Sequence, residues 1–235
     1  MNQEQSRGSG QALGTPPIAP AITGSVTPAM VTKGPDSFTH YLHYPRDPEV
    51  AKMDAAVQFF CEITEKGGVE STHALVANND AFKEAVQTAL DWGRFTPATV
   101  NGQPVRSYLG GTVLFMHQNG EPVIVISLAT YDRERVGKME NYIQPQVVGG
   151  LRHTMQKVIS NFAKGILVAG RAEVVVNVDE KGTVTGTTGV SELPRDSGLG
   201  SLLETAVKQA QFTPAYENGK PVAGGVNVVA DFTQF

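Results

Sequence analysis

The chain has 235 residues, of which 40% are hydrophobic and 18% are charged, and its formal net charge is −4. This length is long for one ordinary domain and suits two of about a hundred residues each. The composition excludes a wholly disordered chain, and the acidic balance disfavours nucleic-acid binding, which needs a basic face. No run of about 18 apolar residues reads as a membrane-spanning helix. The single cysteine, Cys61, excludes an internal disulfide and a multi-cysteine metal site.

The first 35 residues differ in composition from the rest. Residues 1–35 contain five Gly, five Pro and no aromatic side chain. Such a segment has too little apolar surface to offset the entropy lost on ordering, so we expect a flexible lead-in. It lacks the basic start and the unbroken apolar run of a secretory signal. Two interpretations stay open: an anchor or signal was removed before Met1, or the lead-in is the native tail of a cytoplasmic protein.

An internal repeat organises the remaining chain. Residues 95–105 read FTPATVNGQPV, and residues 212–222, which lie 117 positions later, read FTPAYENGKPV, with eight of eleven positions identical. This identity predicts two copies of one domain. We expect domain 1 at 36–129, a charged linker at 130–143 and domain 2 at 144–235, with each domain able to fold alone.

Each copy shows the same predicted order of elements. Apolar residues alternate along the first strand of each copy, which is typical of a half-buried strand. These inward rows are Val57, Phe59, Cys61 and Ile63 in copy one, and Ala172, Val174, Val176 and Val178 in copy two. A tight turn, a return strand, an amphipathic helix and a last strand follow. With a first helix before each hairpin, the order helix, strand, strand, helix, strand predicts an α+β fold. Each copy would form a small antiparallel sheet with both helices on one face.

Several segments of the repeat resemble one known family. In copy one the long helix leads into WGRFTPA at Trp92–Ala98 and NGQPV at Asn101–Val105, and Tyr44-Pro45 precedes the first strand. Copy two adds QPQVVGG at 144–150, at its start. These segments are similar to the C-terminal domain of the TonB energy-transducer family and to the segment that precedes it. The resemblance covers most of the chain.

The resemblance implies a periplasmic module that binds protein. Domains of this family pair by strand addition with the TonB box, a short peptide segment of an outer-membrane transporter, during energy-coupled transport. We therefore expect such a transporter peptide, or a segment of another envelope protein, as the partner. An inner-membrane motor is a further partner if the full-length chain carries an anchor. The alternative is a structural scaffold pair in a cell-envelope complex without energy transduction.

The residue pattern suggests no catalytic machinery. The five histidines share no metal-ligand spacing except His40 and His43, which are better explained by packing or solvation. Cys61 in an inward row is typical of a small buried hydrophobe, and Trp92 is interpreted as a core plug between helix and sheet. Phe60 is expected on the opposite face of the sheet, where it is either an ordinary exposed apolar residue or part of a contact surface. We expect no catalytic residue, metal site, cofactor, nucleic acid or small-molecule substrate, and so a binding protein rather than an enzyme.

The two copies differ at their last strands. In copy one, Asn119-Gly120 predicts a hairpin into an extra strand at Pro122–Leu128, which would cover the edge of the last strand. Copy two has only three residues after Phe232 and lacks such a segment. We therefore expect strand addition along its last strand. The predicted partner-binding residues are Val226, Asn227, Val228, Val229, Ala230, Asp231 and Phe232.

Overall fold

The fold is α+β and consists mostly of antiparallel strands. A computed structural model describes residues 17–130, 133–138, 141–162 and 169–235, and these contain five α-helices. Within those ranges no helix is long and apolar enough to cross a membrane. The coarse prediction of an α+β fold with antiparallel sheets is confirmed.

Copy one contains the predicted hairpin, long helix and last strand, together with several short strands. Its elements in chain order are β1 (Val26–Thr27), β2 (Met30–Val31), α1 (Phe38–Tyr41), a 3-10 turn (Val50–Lys52), β3 (Ala55–Ile63), β4 (Val69–Val76), α2 (Asp80–Trp92), β5 (Phe95–Thr96), β6 (Ala98–Val100), β7 (Gln103–Val105), β8 (Ser107–Gln118) and β9 (Glu121–Ser127).

Copy two follows after a short connecting helix. The remaining elements are α3 (Arg133–Lys138), β10 (Tyr142–Ile143), β11 (Val147–Val148), α4 (Arg152–Phe162), β12 (Arg171–Val178), β13 (Val184–Leu193), α5 (Leu199–Gln209), β14 (Gln211–Phe212), β15 (Ala215–Glu217), β16 (Lys220–Val222), β17 (Gly224–Asp231) and a 3-10 turn (Phe232–Gln234).

The two main sheets share one plan. In copy one the order is β4-β3-β8, and β8 pairs on its far side with β9 and β11. In copy two the order is β13-β12-β17. Smaller sheets join β1 to β6 and β7, and β10 to β15 and β16, whereas β2 pairs with β5. Because β11 pairs with both β14 and β8, backbone hydrogen bonds connect the two copies.

The predicted inward row of copy one forms the centre of its core. All four of its side chains are fully buried, and so are four residues of α2: Phe82, Val86, Ala89 and Leu90. Asn79 caps this helix, since its Oδ1 accepts the Ala81 N–H at 2.9 Å. The row of copy two is buried in the same way against α4 and α5. The predicted phase of both first strands is confirmed.

The hairpin glycine of each copy packs against the repeated FTPA segment. Gly67 and Gly182 have φ of 80° and 84°. A Cβ on Gly67 would lie 2.0 Å from the carbonyl oxygen of Phe95, and one on Gly182 would lie 2.3 Å from that of Phe212. Both the positive φ and the close approach exclude larger residues. The Glu-Lys-Gly turn and the FTPA motif are therefore parts of one packing unit.

The lead-in differs from the expectation. The sequence predicts no regular structure before residue 36, yet β1 pairs with β6, β2 pairs with β5 and Ala29 is fully buried. In copy two, β10 and β11 pair with β15 and β14 in the same way, so this part of the lead-in belongs to the repeat. The predicted linker at 130–143 contains α3 and β10. The lead-in residues 1–16 lie outside the described part of the chain.

One aromatic residue differs from the expectation, and another decides between two alternatives that the sequence leaves open. Trp92 is 70% exposed and is not a core plug, because it lies off the helical stripe that ends at Leu90. Phe60 is only 1% exposed and belongs to the hydrophobic cluster of copy two. The outer face of the first sheet is therefore a contact surface within the chain. We call this contact the seam; its copy-one side consists of Phe60, Glu62, His73, Ala74 and Tyr108.

Candidate functional site

The edge of the last strand in copy one is covered as the sequence predicts. Asn119 and Gly120 have φ of 55° and 83°, which gives the tight turn. The strand β9 then pairs with β8 from Gln118 opposite Glu121 to Thr112 opposite Ser127. This hairpin prediction is confirmed.

The predicted partner-binding residues of copy two lie in β17 and the turn that follows it. The side chains of Val226, Val228 and Ala230 are opposite the inward row of β12 and are buried in the core of copy two. Asn227, Val229 and Asp231 alternate with them on the other face. Phe232 begins the 3-10 turn and is buried. Only the backbone groups on the far side of β17 could therefore pair with an added strand.

That edge of β17 is occupied at its centre by Tyr108 of copy one. The Val229 N–H donates to Tyr108 Oη at 2.8 Å, and the Tyr108 hydroxyl donates to the Val229 carbonyl oxygen, also at 2.8 Å. Burial raises the pKa of Tyr108 well above its ordinary value, so its hydroxyl remains a donor. The prediction of an open edge is therefore wrong at Val229. The reason is that the outer face of the first sheet packs against the second copy.

The end of the chain closes the same side of copy two. Asp231 Oδ1 accepts the Thr233 N–H at 2.9 Å and fixes the terminal turn. Gln234 Nε2 donates to the Thr72 carbonyl oxygen at 3.0 Å, and the Phe235 ring stacks on His73 with 5.4 Å between ring centroids. We call residues 232–235 the tail. The tail lies against β4 of copy one.

A buried carboxylate joins the copies at the start of α4. Glu62 Oε1 accepts the N–H groups of Leu151 and Arg152 at 3.0 and 2.9 Å, and His73 Nε2 lies 3.5 Å away. Burial acts to raise the pKa of Glu62. The His73 ring and the two backbone N–H groups lower it by more, so the pKa lies below its ordinary value. Glu62 thus stabilises a helix N-terminus of the other copy.

Two buried glutamines at the start of copy two make similar connections. The Gln146 side chain accepts the Ala29 N–H at 2.7 Å and donates to the Ala29 carbonyl oxygen at 2.8 Å. Gln144 accepts the Thr130 N–H at 2.8 Å and donates to the Gly110 carbonyl oxygen at 3.1 Å. The Gln146 amide thus takes the place of a neighbouring strand at Ala29, and the Gln144 amide joins two separate backbone groups. Sequence reasoning missed these roles, although a Gln-Pro-Gln motif in an apolar setting is a usable signal.

Several buried polar atoms at the seam lack a partner. In the described part of the chain, the buried side-chain atoms without a hydrogen bond are His73 Nδ1, Ser107 Oγ, Asn227 Oδ1 and Gln234 Oε1. The atoms of His73, Asn227 and Gln234 belong to β4, β17 and the tail, which meet between the copies, whereas Ser107 lies opposite Ile63 on the side of β8 that faces the core of copy one. Each such atom costs about 1–3 kcal/mol relative to a satisfied one. Closure of the seam is therefore less favourable than its apolar contacts alone suggest.

The edge of the second sheet formed by β13 is open. Within the described ranges β13 pairs only with β12. It is ten residues long, contains no Lys, Arg or Pro, and exposes Val190 by 47% and Leu193 by 69%. Register shifts interrupt its pairing with β12 between Glu173 and Val175 and between Asn177 and Val178. The regular stretch between them, residues 186–188, carries no Lys, Arg or Pro that would block pairing with another chain.

The alternation of hydrogen bonds shows which β13 groups are free. The N–H and C=O of Val229 bond to Tyr108 and therefore point away from β12. Glu173 of β12 lies opposite Val229, so its own N–H and C=O point to its other neighbour, β13. Val175 lies two residues after Glu173, so its N–H and C=O also point to β13, where Thr188 lies opposite it after the bulge. Thr187, opposite Val176, therefore points its N–H and C=O to the open side.

The remaining candidate residues, which are possible metal ligands and the Cys61 thiol, show little chemical reactivity. Within the described ranges no group of three or more His, Cys, Asp or Glu residues could hold a metal ion. Cys61 is fully buried, and burial, with a smaller effect of the Glu62 charge, raises the pKa of its thiol. A thiol in this state is a poor nucleophile. The open strand edge is therefore the feature best suited to a function.

Comparison of the chain with protein-family models, with curated proteins and with solved structures found no match.

Proposed function

We propose that the chain is a periplasmic TonB-like module that binds an extended peptide by strand addition. The partner is a segment of an outer-membrane transporter, or of another envelope protein, in energy-coupled transport. The repeated helix-to-turn motif, the preceding QPQVVGG segment and the α+β sheet with helices on one face support this proposal. An inner-membrane motor joins the system if the full-length chain carries an anchor.

The open edge of β13 is the observation that carries the proposal. An added strand would bond to the outward N–H and C=O of Thr187, which lies in the regular stretch between the two register shifts. Val190 and Leu193 offer exposed apolar contacts, and Glu192 is the one charged residue of the strand. We therefore expect an uncharged peptide with alternating β-branched residues. The backbone would supply most of the affinity, so the protein acts through binding rather than catalysis.

A proline at the open edge tests this placement. Thr187→Pro removes an N–H that points to the open side and leaves the β12–β13 bonds of neighbouring residues in place. Thr187→Ala is the matched control, because it loses the same hydroxyl bond to Glu204 but keeps the N–H. The probe is a capped, TonB-box-like heptapeptide of alternating Thr and Val.

The readout is the amide spectrum of isotope-labelled full-length protein. We expect shifts along β13, a similar affinity for Thr187→Ala, and an affinity about tenfold lower for Thr187→Pro. Equal affinities of the two variants, or shifts confined to copy one, would contradict the placement.

The seam favours a second candidate function. Tyr108 and Glu62 fix one copy against the other, as a structural scaffold pair in an envelope complex would require. A scaffold needs no free strand edge. Absence of any shift with the heptapeptide, at protein concentrations where the spectrum is well resolved, would favour the scaffold.

A further inference from the structure

A cavity of about 390 Å³ lies between the two copies, beside the seam. Copy one lines it with residues 72–75 of β4 and with Lys83 of α2. Copy two lines it at the ends of three strands, with Arg171 of β12, Leu193 of β13 and Asp231 of β17. Small-ligand sites usually have volumes of about 300–1,000 Å³, so this cavity suits a small ligand.

Strand pairing places the three residues of copy two side by side. Arg171 lies opposite Leu193 in β13 and opposite Asp231 in β17. Directly opposite residues of antiparallel strands carry their side chains on the same face of the sheet. Since Arg171 precedes the inward-facing Ala172, this is the outer face of the second sheet, which meets copy one. An apolar, a cationic and an anionic side chain therefore form a row along the cavity.

The two cations of the cavity lack a counter-ion within the protein. Among the residues that the structure describes, the side chains of Lys83 and Arg171 make no hydrogen bond or ion pair. Asp231 instead binds Thr233, since its Oδ1 accepts the backbone N–H at 2.9 Å and the hydroxyl at 2.6 Å. Two cations and one carboxylate leave a net charge of +1 in the cavity. A ligand with a single negative charge would balance this charge.

The buried ring of His73 adds a requirement that surface exposure does not explain. His73 also lines the cavity, and its side chain is only 1% exposed. Its Nε2 lies 3.5 Å from Glu62 Oε1, a carboxylate oxygen that can only accept, so the proton of the neutral ring belongs on Nε2. Nδ1 is then an acceptor, and within the described ranges it is buried without a hydrogen bond. A ligand N–H donor at this place would satisfy it.

We propose that this cavity binds an N-acylated α-amino acid with an apolar side chain, either as a free acid or as the C-terminal residue of a peptide. Its carboxylate lies with Lys83 and Arg171, and its amide N–H donates to His73 Nδ1. Its side chain covers Leu193, which is 69% exposed. Because both copies line the cavity, binding stabilises the seam. The site needs no free strand edge and so goes beyond the proposed function.

The test uses isotope-labelled full-length protein and N-acetyl-leucine as the probe. N-acetyl-leucinamide is the control ligand, because it keeps the N–H and the side chain but carries no charge. Lys83→Gln removes one cation, and the exposure of Lys83 makes a folding defect unexpected. Arg171→Gln tests the copy-two side of the cavity. Lys157→Gln is the matched control, since Lys157 is an exposed lysine of α4 that lies outside the cavity.

The affinity and the position of the amide shifts decide the result. We expect N-acetyl-leucine to shift the amides of residues 72–75 and 170–171, and the leucinamide to bind at least about tenfold more weakly. Lys83→Gln and Arg171→Gln should each lower the affinity for the acid about tenfold, and Lys157→Gln should leave it unchanged. Equal affinities for the acid and the amide, or no effect of either cavity variant, would overturn the proposal. So would the absence of shifts at about 10 mM N-acetyl-leucine.

An acetylated pentapeptide, Thr-Val-Thr-Val-Leu with a free carboxylate, separates the two sources of the ligand. Tighter binding than that of N-acetyl-leucine, with the same shifts at 72–75, assigns the ligand to a peptide terminus. Loss of those shifts with the pentapeptide, but not with N-acetyl-leucine, assigns it to a free acid. The amidated pentapeptide keeps any pairing along β13 but should not shift 72–75, so the strand-edge proposal and this one are read from different amides.

Discussion

Phe60 and Cys61 are consecutive residues of β3, yet their side chains are buried in two different hydrophobic clusters. Cys61 belongs to the core of copy one, with Phe59 and Leu90, whereas Phe60 belongs to the core of copy two, with Leu151 and Val229. Successive side chains of a strand point to opposite faces, so β3 is buried on both. Copy one thus supplies one side of the hydrophobic core of copy two.

Loss of the Phe60 ring should destabilise the whole chain. Phe60→Ala removes a fully buried ring from the seam, and we expect it to lower the free energy of unfolding by about 3–5 kcal/mol. Trp92→Ala is the control, since Trp92 is 70% exposed and its loss should change the value by less than about 0.5 kcal/mol. Urea denaturation followed by circular dichroism measures both. The reverse order of effects would mean that Trp92, and not Phe60, is packed.

The Cys61 thiol should resist modification in the native protein. It is fully buried in β3, and its raised pKa keeps it protonated at neutral pH. A thiol reagent should therefore label Cys61 slowly under native conditions and at once in denaturant. The native labelling rate should follow the population of unfolded protein, and so rise in Phe60→Ala. Rapid native labelling would contradict the inward phase of β3.

The Glu62 contact should make stability depend on pH. The folded-state pKa of Glu62 lies below its ordinary value, so its contribution is fully present above about pH 4.3, the unfolded value. That contribution is lost as the pH falls through the lower, folded-state pKa. Glu62→Gln should therefore cost about 1.5–3 kcal/mol at pH 7, the range for hydrogen bonds to charged groups, and the difference from wild type should shrink in acid. The measurement is a denaturation series from pH 7 to pH 3 for both proteins. A difference that is constant with pH would exclude an ionised Glu62 at the seam.

Local patterns of the sequence predict much of the fold but little of the seam. The alternation from Val57 to Ile63 and the Asn119-Gly120 turn depend on neighbouring residues, so their structures could be predicted. The Tyr108–Val229 contact joins residues 121 positions apart, for which no local periodicity exists. The few residues after Phe232 predict an open edge at β17, but no local pattern shows that Tyr108 packs there.

The short strands β1 and β2 could not be predicted from the sequence, for a related reason. The strands β1 and β2 have two residues each, too few for a period, and they lie in a Pro- and Gly-rich segment. What stabilises them is distant: Asn101 Oδ1 accepts the Ser25 N–H at 3.0 Å, and Asn101 donates its own N–H to Ser25 at 2.7 Å. Comparison of the two copies could have found them, since β10 and β11 repeat their pairing.

The boundary of copy one should therefore lie before residue 26 rather than at 36. A fragment of residues 17–130 contains β1 and β2 with their partners β6 and β5, whereas in 36–130 β5 loses its partner strand and β6 is paired only with β7. Both fragments lose the seam and should be less stable than the full chain. The fragment 36–130 also lacks Ala29, which is fully buried in the full chain. We therefore expect the melting temperature of 17–130 to exceed that of 36–130 by about 4–8 °C for each kcal/mol that residues 17–35 add to the free energy of unfolding. Thermal unfolding by circular dichroism gives this comparison, with the full chain as reference. Equal melting temperatures would show that residues 17–35 add nothing to copy one, and failure of both fragments to fold would mean that the two copies form a single cooperative unit.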